Sequence, residues 1–203
     1  MALTYSSPED VLNDCLVRIG YKRRIGSIWE GSEAAKMALS IYSQTRDDTL
    51  MGFDWGFAEG NVAAELLKSA PPGGYGGLPW SSAYPPLPFL YEYAYPADCL
   101  KVRAMKPTPV FVPNFDPKPY VWSVDNDNSL TPPAKAISCN VPNAIIVYTR
   151  QVTNPQEWES DFCDALSAAL ARRLAKGLAD IDSEKLESAD EQSSLGNARM
   201  MEG

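Results

Sequence analysis

Near the N-terminus the apolar positions Val11, Leu12, Cys15, Leu16 and Ile19 recur at helical spacing and form one stripe. Ser7 stands where its hydroxyl can cap the free backbone amides, Pro8 fits the first helical position, and Glu9 and Asp10 complement the helix dipole. Gly20 supplies the stop. The segment Tyr21 to Gly31 is short and glycine-punctuated, and reads as an ordered loop. A second helix follows, capped by Ser32, with a stripe of Ala34, Met37, Ala38, Ile41, Tyr42 and Thr45 running towards Leu50. Glu33, Lys36, Gln44, Arg46 and Asp47 are expected off that stripe, on the wet or partner-facing side.

From Phe53 the period shortens, and the pattern predicts a turn into an extended segment in which Trp55 and Phe57 are buried against the helices. Residues 70–90 contain four glycines and six prolines, which suits neither a helix nor an inner strand. This loop also carries Tyr75, Trp80, Tyr84 and Phe89, so part of it is expected to pack on a surface of this chain or of another subunit. Strand-like runs come next: FLYEYAY, CLKVRAM, VFV, PYVWSV, KAISC and AIIVYTRQV, separated by the turns FDPKP, DNDN and NVPN. Leu100, Val102 and Ala104 alternate with Lys101, Arg103 and Met105, the pattern of a one-sided antiparallel sheet.

The last helix is predicted to begin at Asn154 as cap, with Pro155 at the first position and Glu157 completing a capping box. Trp158, Phe162, Ala165, Leu166, Ala169, Leu170 and Leu174 make its apolar face, and Arg172, Arg173 and Lys176 complement its C-terminal dipole. Beyond it the chain is polar. The fold class expected is α+β: a helical bundle of two N-terminal helices and a long C-terminal helix, with an inserted antiparallel β subdomain. The boundaries expected are 1–58 for the N-terminal helical part, 59–150 for the β subdomain, 151–178 for the C-terminal helix and 179–203 for a polar tail.

Composition narrows the function. The 203 residues are 45% hydrophobic, enough for a core, and the formal net charge of −8 disfavours a surface that grips phosphate backbones. No basic start or apolar run of signal-peptide or membrane-spanning length occurs, so the chain is expected to be made and kept in a cytoplasm. Histidine is absent, which removes the commonest general acid and base and the Ser/His and Cys/His pairs. The four cysteines, Cys15, Cys99, Cys139 and Cys163, are isolated from one another and are not expected to bind metal, and Cys15 and Cys163, among apolar residues of predicted helices, are expected to be reduced core side chains. The acid pairs Asp47–Asp48 and Glu157–Glu159 fall on predicted helix surfaces, where a hydrolase would need two carboxyls converging in a cleft. The glycine cluster GGYGG precedes LPW and opens no helix, so it is no phosphate loop. No catalytic residue, metal or cofactor is expected. The basic run Lys22, Arg23 and Arg24 is either solvated or touches DNA or a partner's carboxylates.

Three segments taken together carry a resemblance: SEAAKMALSIYSQTRDDTLMGFDWGFA (residues 32–58), YAYPADCLKV (93–102) and VTNPQEWESDFCDALSAALARRLA (152–175). In order and spacing they resemble the head-to-tail adaptor family of tailed bacteriophages, the group that includes tail tubular protein A of short-tailed phages and related connector proteins. The similarity spans residues 5 to about 178 and rests on Arg46, Asp47, Trp55, Phe57 and Ala58, on Tyr95, Pro96, Asp98 and Leu100, and on Tyr148, Val152, Pro155, Trp158, Phe162, Ala165, Leu166 and Leu170. The stretch 70–90 is longer than that family's pattern.

The resemblance implies a structural virion protein without enzymatic activity. It implies a ring of about twelve identical subunits under the portal protein, offering a landing surface to the next tail or nozzle protein. Double-stranded DNA would pass through the channel without specific binding, at the neck of the virion, with assembly in the host cytoplasm and no membrane involved. The candidate protein-interface residues are Arg23, Arg24, Trp80, Arg172, Arg173 and Lys176. The polar tail, with Arg172 and Arg173, is expected to order against the portal. A tail-associated small hydrolase or another phage accessory binding protein is the alternative.

Overall fold

The computed structural model describes residues 5–108, 120–175 and 177–178. The architecture is α+β: two N-terminal helices, a C-terminal helix packed against them, and two antiparallel sheets between them in the chain. The polypeptide divides into two compact units, one of Met1–Thr49 with Val152–Gly203 and one of Leu50–Gln151.

In the helical unit, α1 (Pro8–Arg18) starts as the sequence dictates. The Ser7 side chain accepts from the Asp10 N–H, the Asp10 carboxylate accepts from the Ser7 N–H, and Pro8 needs no partner for a missing donor. Gly20, at φ +76°, provides the left-handed residue that ends the helix. The helix α2 (Glu33–Gly52) is capped by Ser32, whose Oγ accepts from the Ala35 N–H at 3.3 Å. Its buried side is Ala34, Ala35, Ala38, Tyr42 and Thr45. Arg46 departs from the expected wet side: it is buried, because its guanidinium folds along the helix onto Asp47 at 2.8 Å and carries its charge inward already paired.

The C-terminal helix begins later than the capping signal indicates. Asn154 caps a single 3₁₀ turn, Pro155–Glu157, accepting from the Gln156 N–H. Trp158 then takes an extended backbone, ψ 138°, and α3 runs from residue 160 through 175. The indole explains the break. It is buried, donates from Nε1 to the Val152 carbonyl at 3.1 Å, and meets the Phe162 ring edge-on at 5.2 Å. Phe162, Leu166, Leu170 and Leu174 are buried as predicted, with Cys163 and Ser167 beside them. Polar links tie α3 to α1: Ser167 Oγ and Arg18 both donate to Asp14, and Arg18 also pairs with Asp164. Cys15 and Cys163 are fully buried free thiols, and burial pushes the Cys15 thiol up to about 12, which leaves it protonated at neutral pH.

The β unit holds β1 (Glu59–Ala63), β2 (Leu66–Ser69), β3 (Tyr91–Ala94), β4 (Cys99–Pro107), β5 (Trp122–Asp127), β6 (Ala134–Cys139) and β7 (Ala144–Arg150). One sheet has the order β1-β7-β4 and the other β2-β3-β6-β5, with every pairing antiparallel. Tyr93, Ile137 and Cys139 of the second sheet share a core with Val102, Met105, Ile146 and Tyr148 of the first. The simple alternation expected in β4 does not hold. Register shifts between Cys99 and Lys101 and between Val102 and Ala104 put Val102 and Met105, three apart, on the buried side. Arg103 then donates to Thr149 Oγ1 at 2.9 Å and to the Trp55 carbonyl at 2.8 Å. The expected strand VFV lies outside the described residues.

Gly60 is required by a close approach. A Cβ there would stand 2.6 Å from Cζ of Tyr148, a core ring whose hydroxyl is tied to Asp98 Oδ1 at 2.9 Å and cannot withdraw. Gly60→Ala is expected to cost about 1–3 kcal/mol by overpacking. Gly177→Ala meets only the end of the unbranched Met37 side chain, which can turn aside, and is expected to cost less. Chemical denaturation of the two variants side by side checks the contrast.

Candidate functional site

The sheet β2-β3-β6-β5 has two unlike faces. Tyr91, Tyr93, Ile137 and Cys139 point into the core. The alternate positions Lys68, Glu92, Ser138 and Asp127 line a pocket of about 270 Å³ on the other side. The loop 70–90 walls this pocket with Trp80, Ser82, Tyr84 and Pro86. The loop is organised, not slack: Tyr75 Oη and Trp80 Nε1 both donate to the Pro85 carbonyl, at 2.9 and 2.8 Å, and the Tyr75 and Tyr84 rings meet edge-on at 6.0 Å. Its ends are tied by the Ala70 N–H to the Leu90 carbonyl and by the Leu90 N–H to Asn140 Oδ1. Glycines 73, 74, 76 and 77 all have positive φ, which lets the chain double back over the sheet.

At the floor three charges meet. Lys68 Nζ stands 2.6 Å from Asp127 Oδ2 and 3.5 Å from Glu92 Oε1, with side-chain exposures of 13%, 11% and 3% for Lys68, Asp127 and Glu92. Both contacts are ion pairs without hydrogen-bond geometry, and Glu92 Oε1 and Asp127 Oδ2 are both buried without a hydrogen bond. Burial raises the Glu92 pKa, the neighbouring Asp127 carboxyl adds to that, and Lys68 opposes both. Burial acts on Asp127 in the same direction, but the Lys68 ammonium and the Ser129 N–H and hydroxyl outweigh it and hold Asp127 below the usual carboxylate range. The shared surroundings thus push the two carboxyls in opposite directions, Asp127 towards the anion and Glu92 towards holding its proton.

This cluster corrects the sequence reading on two points. DNDN is not a turn: Asp125, Asn126 and Asp127 are strand residues paired with Ala136, Lys135 and Ala134, and the turn begins where Asp127 Oδ1 accepts from the Ser129 N–H at 2.9 Å. Nor do all the acids sit on helix surfaces, since Glu92 and Asp127 converge in a pocket. The available signal was Glu92 itself, a charge between two aromatics in a strand-like run.

No protein-family model matches this chain, and no curated protein matches it.

The candidate interface residues fall in different places. Trp80 walls the pocket and is half exposed. Arg23 and Arg24 are exposed on the connection between α1 and α2. Arg172 is exposed on α3. Arg173 is engaged within the helical unit, donating to Thr45 Oγ1 and to Asp48 Oδ2, both at 2.7 Å. Lys176 and the tail 179–203 lie outside the described residues. Among the described residues, no group of three His, Cys, Asp or Glu could hold a metal ion, and no helix is long and apolar enough to cross a membrane.

Proposed function

We propose that the protein is a head-to-tail adaptor, copies of which form a ring under a portal, extend its DNA channel and present a surface to the next tail protein. One observation carries the reading: the residues of the resemblance sit at the joints of the fold. Asp98, in the turn between β3 and β4, accepts from the Tyr148 hydroxyl at 2.9 Å, and its carbonyl accepts from the Gln151 N–H at 2.7 Å where the chain leaves the β unit. Trp158 and Phe162 pack on each other at the start of α3, and Arg46 pairs with Asp47 near the end of α2. A chain whose shared positions serve shape suits an assembly component, and the function itself follows by analogy with the resembled family.

A second reading, hydrolysis by a carboxyl pair, has the Glu92–Asp127 convergence in its favour. The two carboxyls lie within hydrogen-bonding reach of each other and share one ammonium, whereas glycoside hydrolysis needs them about 5 Å or more apart with the bond to be cleaved between them. The arrangement suits binding better than bond cleavage.

The test is the mass of the purified protein by native mass spectrometry, alone and mixed with the portal ring. A single chain that becomes a many-copy ring on the portal is the expected result. A chain that ignores the portal overturns the proposal.

A further inference from the structure

The pocket is an acceptor-rich cleft with a single ammonium on its floor. Glu92 Oε1 and Asp127 Oδ2 are buried and meet Lys68 as ion pairs without a hydrogen bond, Asp125 adds negative charge, and Lys68 is the single cation among the lining residues, so one ammonium faces three carboxyls. The flat rings of Trp80 and Tyr84 stand at the wall. Buried carboxylate oxygens beside aromatic faces suit a guanidinium, which donates in a planar fork and stacks on rings.

The same chain carries such a group on a prepared support. Lys22, Arg23 and Arg24 are exposed in succession and have no partner among the described residues. The segment that holds them is pinned at both ends. The Tyr21 N–H donates to the Leu16 carbonyl at 2.9 Å, and the Asn13 side chain clamps Ile25 by donating to its carbonyl at 2.9 Å and accepting from its N–H at 2.8 Å. Glu9 Oε1 accepts from the Ile28 N–H at 3.0 Å and fixes the loop further. A cationic loop held in place loses less conformational freedom on docking than a slack one. Several other basic side chains are engaged, Arg18 with Asp14 and Asp164, Lys36 with Glu33, Arg103 with Glu59, and Arg173 with Asp48, whereas Arg172 is exposed singly on α3.

We propose that this pocket seats the Lys22–Arg24 loop of a second copy of the chain, with an arginine guanidinium entering between the Trp80 and Tyr84 rings and the Glu92 and Asp127 carboxylates. The contact joins unlike surfaces of two copies, and such head-to-tail contacts close into rings when the rotation permits. The inference rests on the ring reading and gives it a specific seam.

The experiment mixes two differently tagged full-length variants, Arg24→Cys and Asn128→Cys, Asn128 being an exposed residue at the pocket. Mild oxidation is carried out with and without the portal ring. A disulfide-linked pair in the mixture, absent from either variant alone, is the expected result. Arg23→Glu/Arg24→Glu and Trp80→Ala, checked for folding by circular dichroism, are expected to weaken association of copies about tenfold or more. Rings of normal mass in which no crosslink forms would overturn the seam and leave the adaptor function standing. A wild type that stays single in every condition would defeat the ring reading and the second copy with it. Loss of binding to a short DNA duplex in the double variant, with association intact, would assign the triplet to DNA and overturn the proposal.

Discussion

Lys68→Met is expected to destabilise the β unit by about 3–5 kcal/mol, the range for removing one partner from a buried ion pair. The methionine fills most of the volume, but two buried carboxyls lose the ammonium that stands 2.6 and 3.5 Å from them. The pH profile separates this cause from lost packing. In the wild type the Asp127 pKa is depressed, so its contribution is present above the ordinary carboxylate pKa and is lost as pH falls. The Glu92 pKa is raised, so its contribution is present at low pH and is lost as pH rises. Without Lys68 nothing opposes burial and Asp127 at Glu92, which binds its proton more tightly still, and Asp127 keeps only its Ser129 and Glu92 hydrogen bonds against burial. The variant therefore recovers stability on acidification from neutral pH towards pH ~4, the ordinary carboxylate range. Urea denaturation at the two pH values tests this. A deficit that does not change with pH would mean that packing, not charge, is what Lys68 supplies.

Phe162→Ala is expected to cost about 3–5 kcal/mol in the helical unit. Phe162 is fully buried on α3 and takes the edge of the Trp158 ring at 5.2 Å, so truncation leaves a cavity and removes an aromatic pair together. The effect is expected in helical circular dichroism and in indole fluorescence, because Trp158 stands at the start of α3. A loss below about 1 kcal/mol would show that the helices collapse onto the vacated volume.

Where a chemical group acts on its own backbone neighbours, the fold was legible in the sequence. Ser7, Pro8 and Asp10 define the start of α1, Ser32 that of α2, and both follow from residues three apart or fewer. The same logic misplaced α3 by five residues, since Asn154 is a sound local cap. What overrides it is tertiary: burial of the Trp158 indole against the Val152 carbonyl and Phe162. In β4 the alternation reads correctly residue by residue, yet bulges shift its phase, and bulges leave no signal in hydrophobicity.

The pocket was the least legible part, for a topological reason. Lys68, Glu92 and Asp127 lie in three chain-distant strands and meet only because β6 stands between β3 and β5 while β2 pairs with β3. Lys68 and Asp127 each read alone as a surface charge, and only Glu92, between Tyr91 and Tyr93, carries a signal of its own. The aromatic loop was recognised as a packing segment, but the polar sheet face under it could not be read before the strand order was known.

The nested topology also bears on synthesis. The helical unit is built from Met1–Thr49 and Val152–Gly203, so α1 and α2 leave the ribosome well before the helix that covers them. At about 5–20 residues per second the intervening segment takes roughly 5–20 s to translate. Throughout that interval α1 and α2, which carry Leu12, Leu16 and Ala38, all buried in the finished protein, lack the helix that packs against them. The β unit, contiguous in the chain, can complete its own sheets in the meantime. Newborn chains are therefore most vulnerable to aggregation and to chaperone capture at their N-terminal helices, and translation rate through residues 50–151 sets how long that exposure lasts.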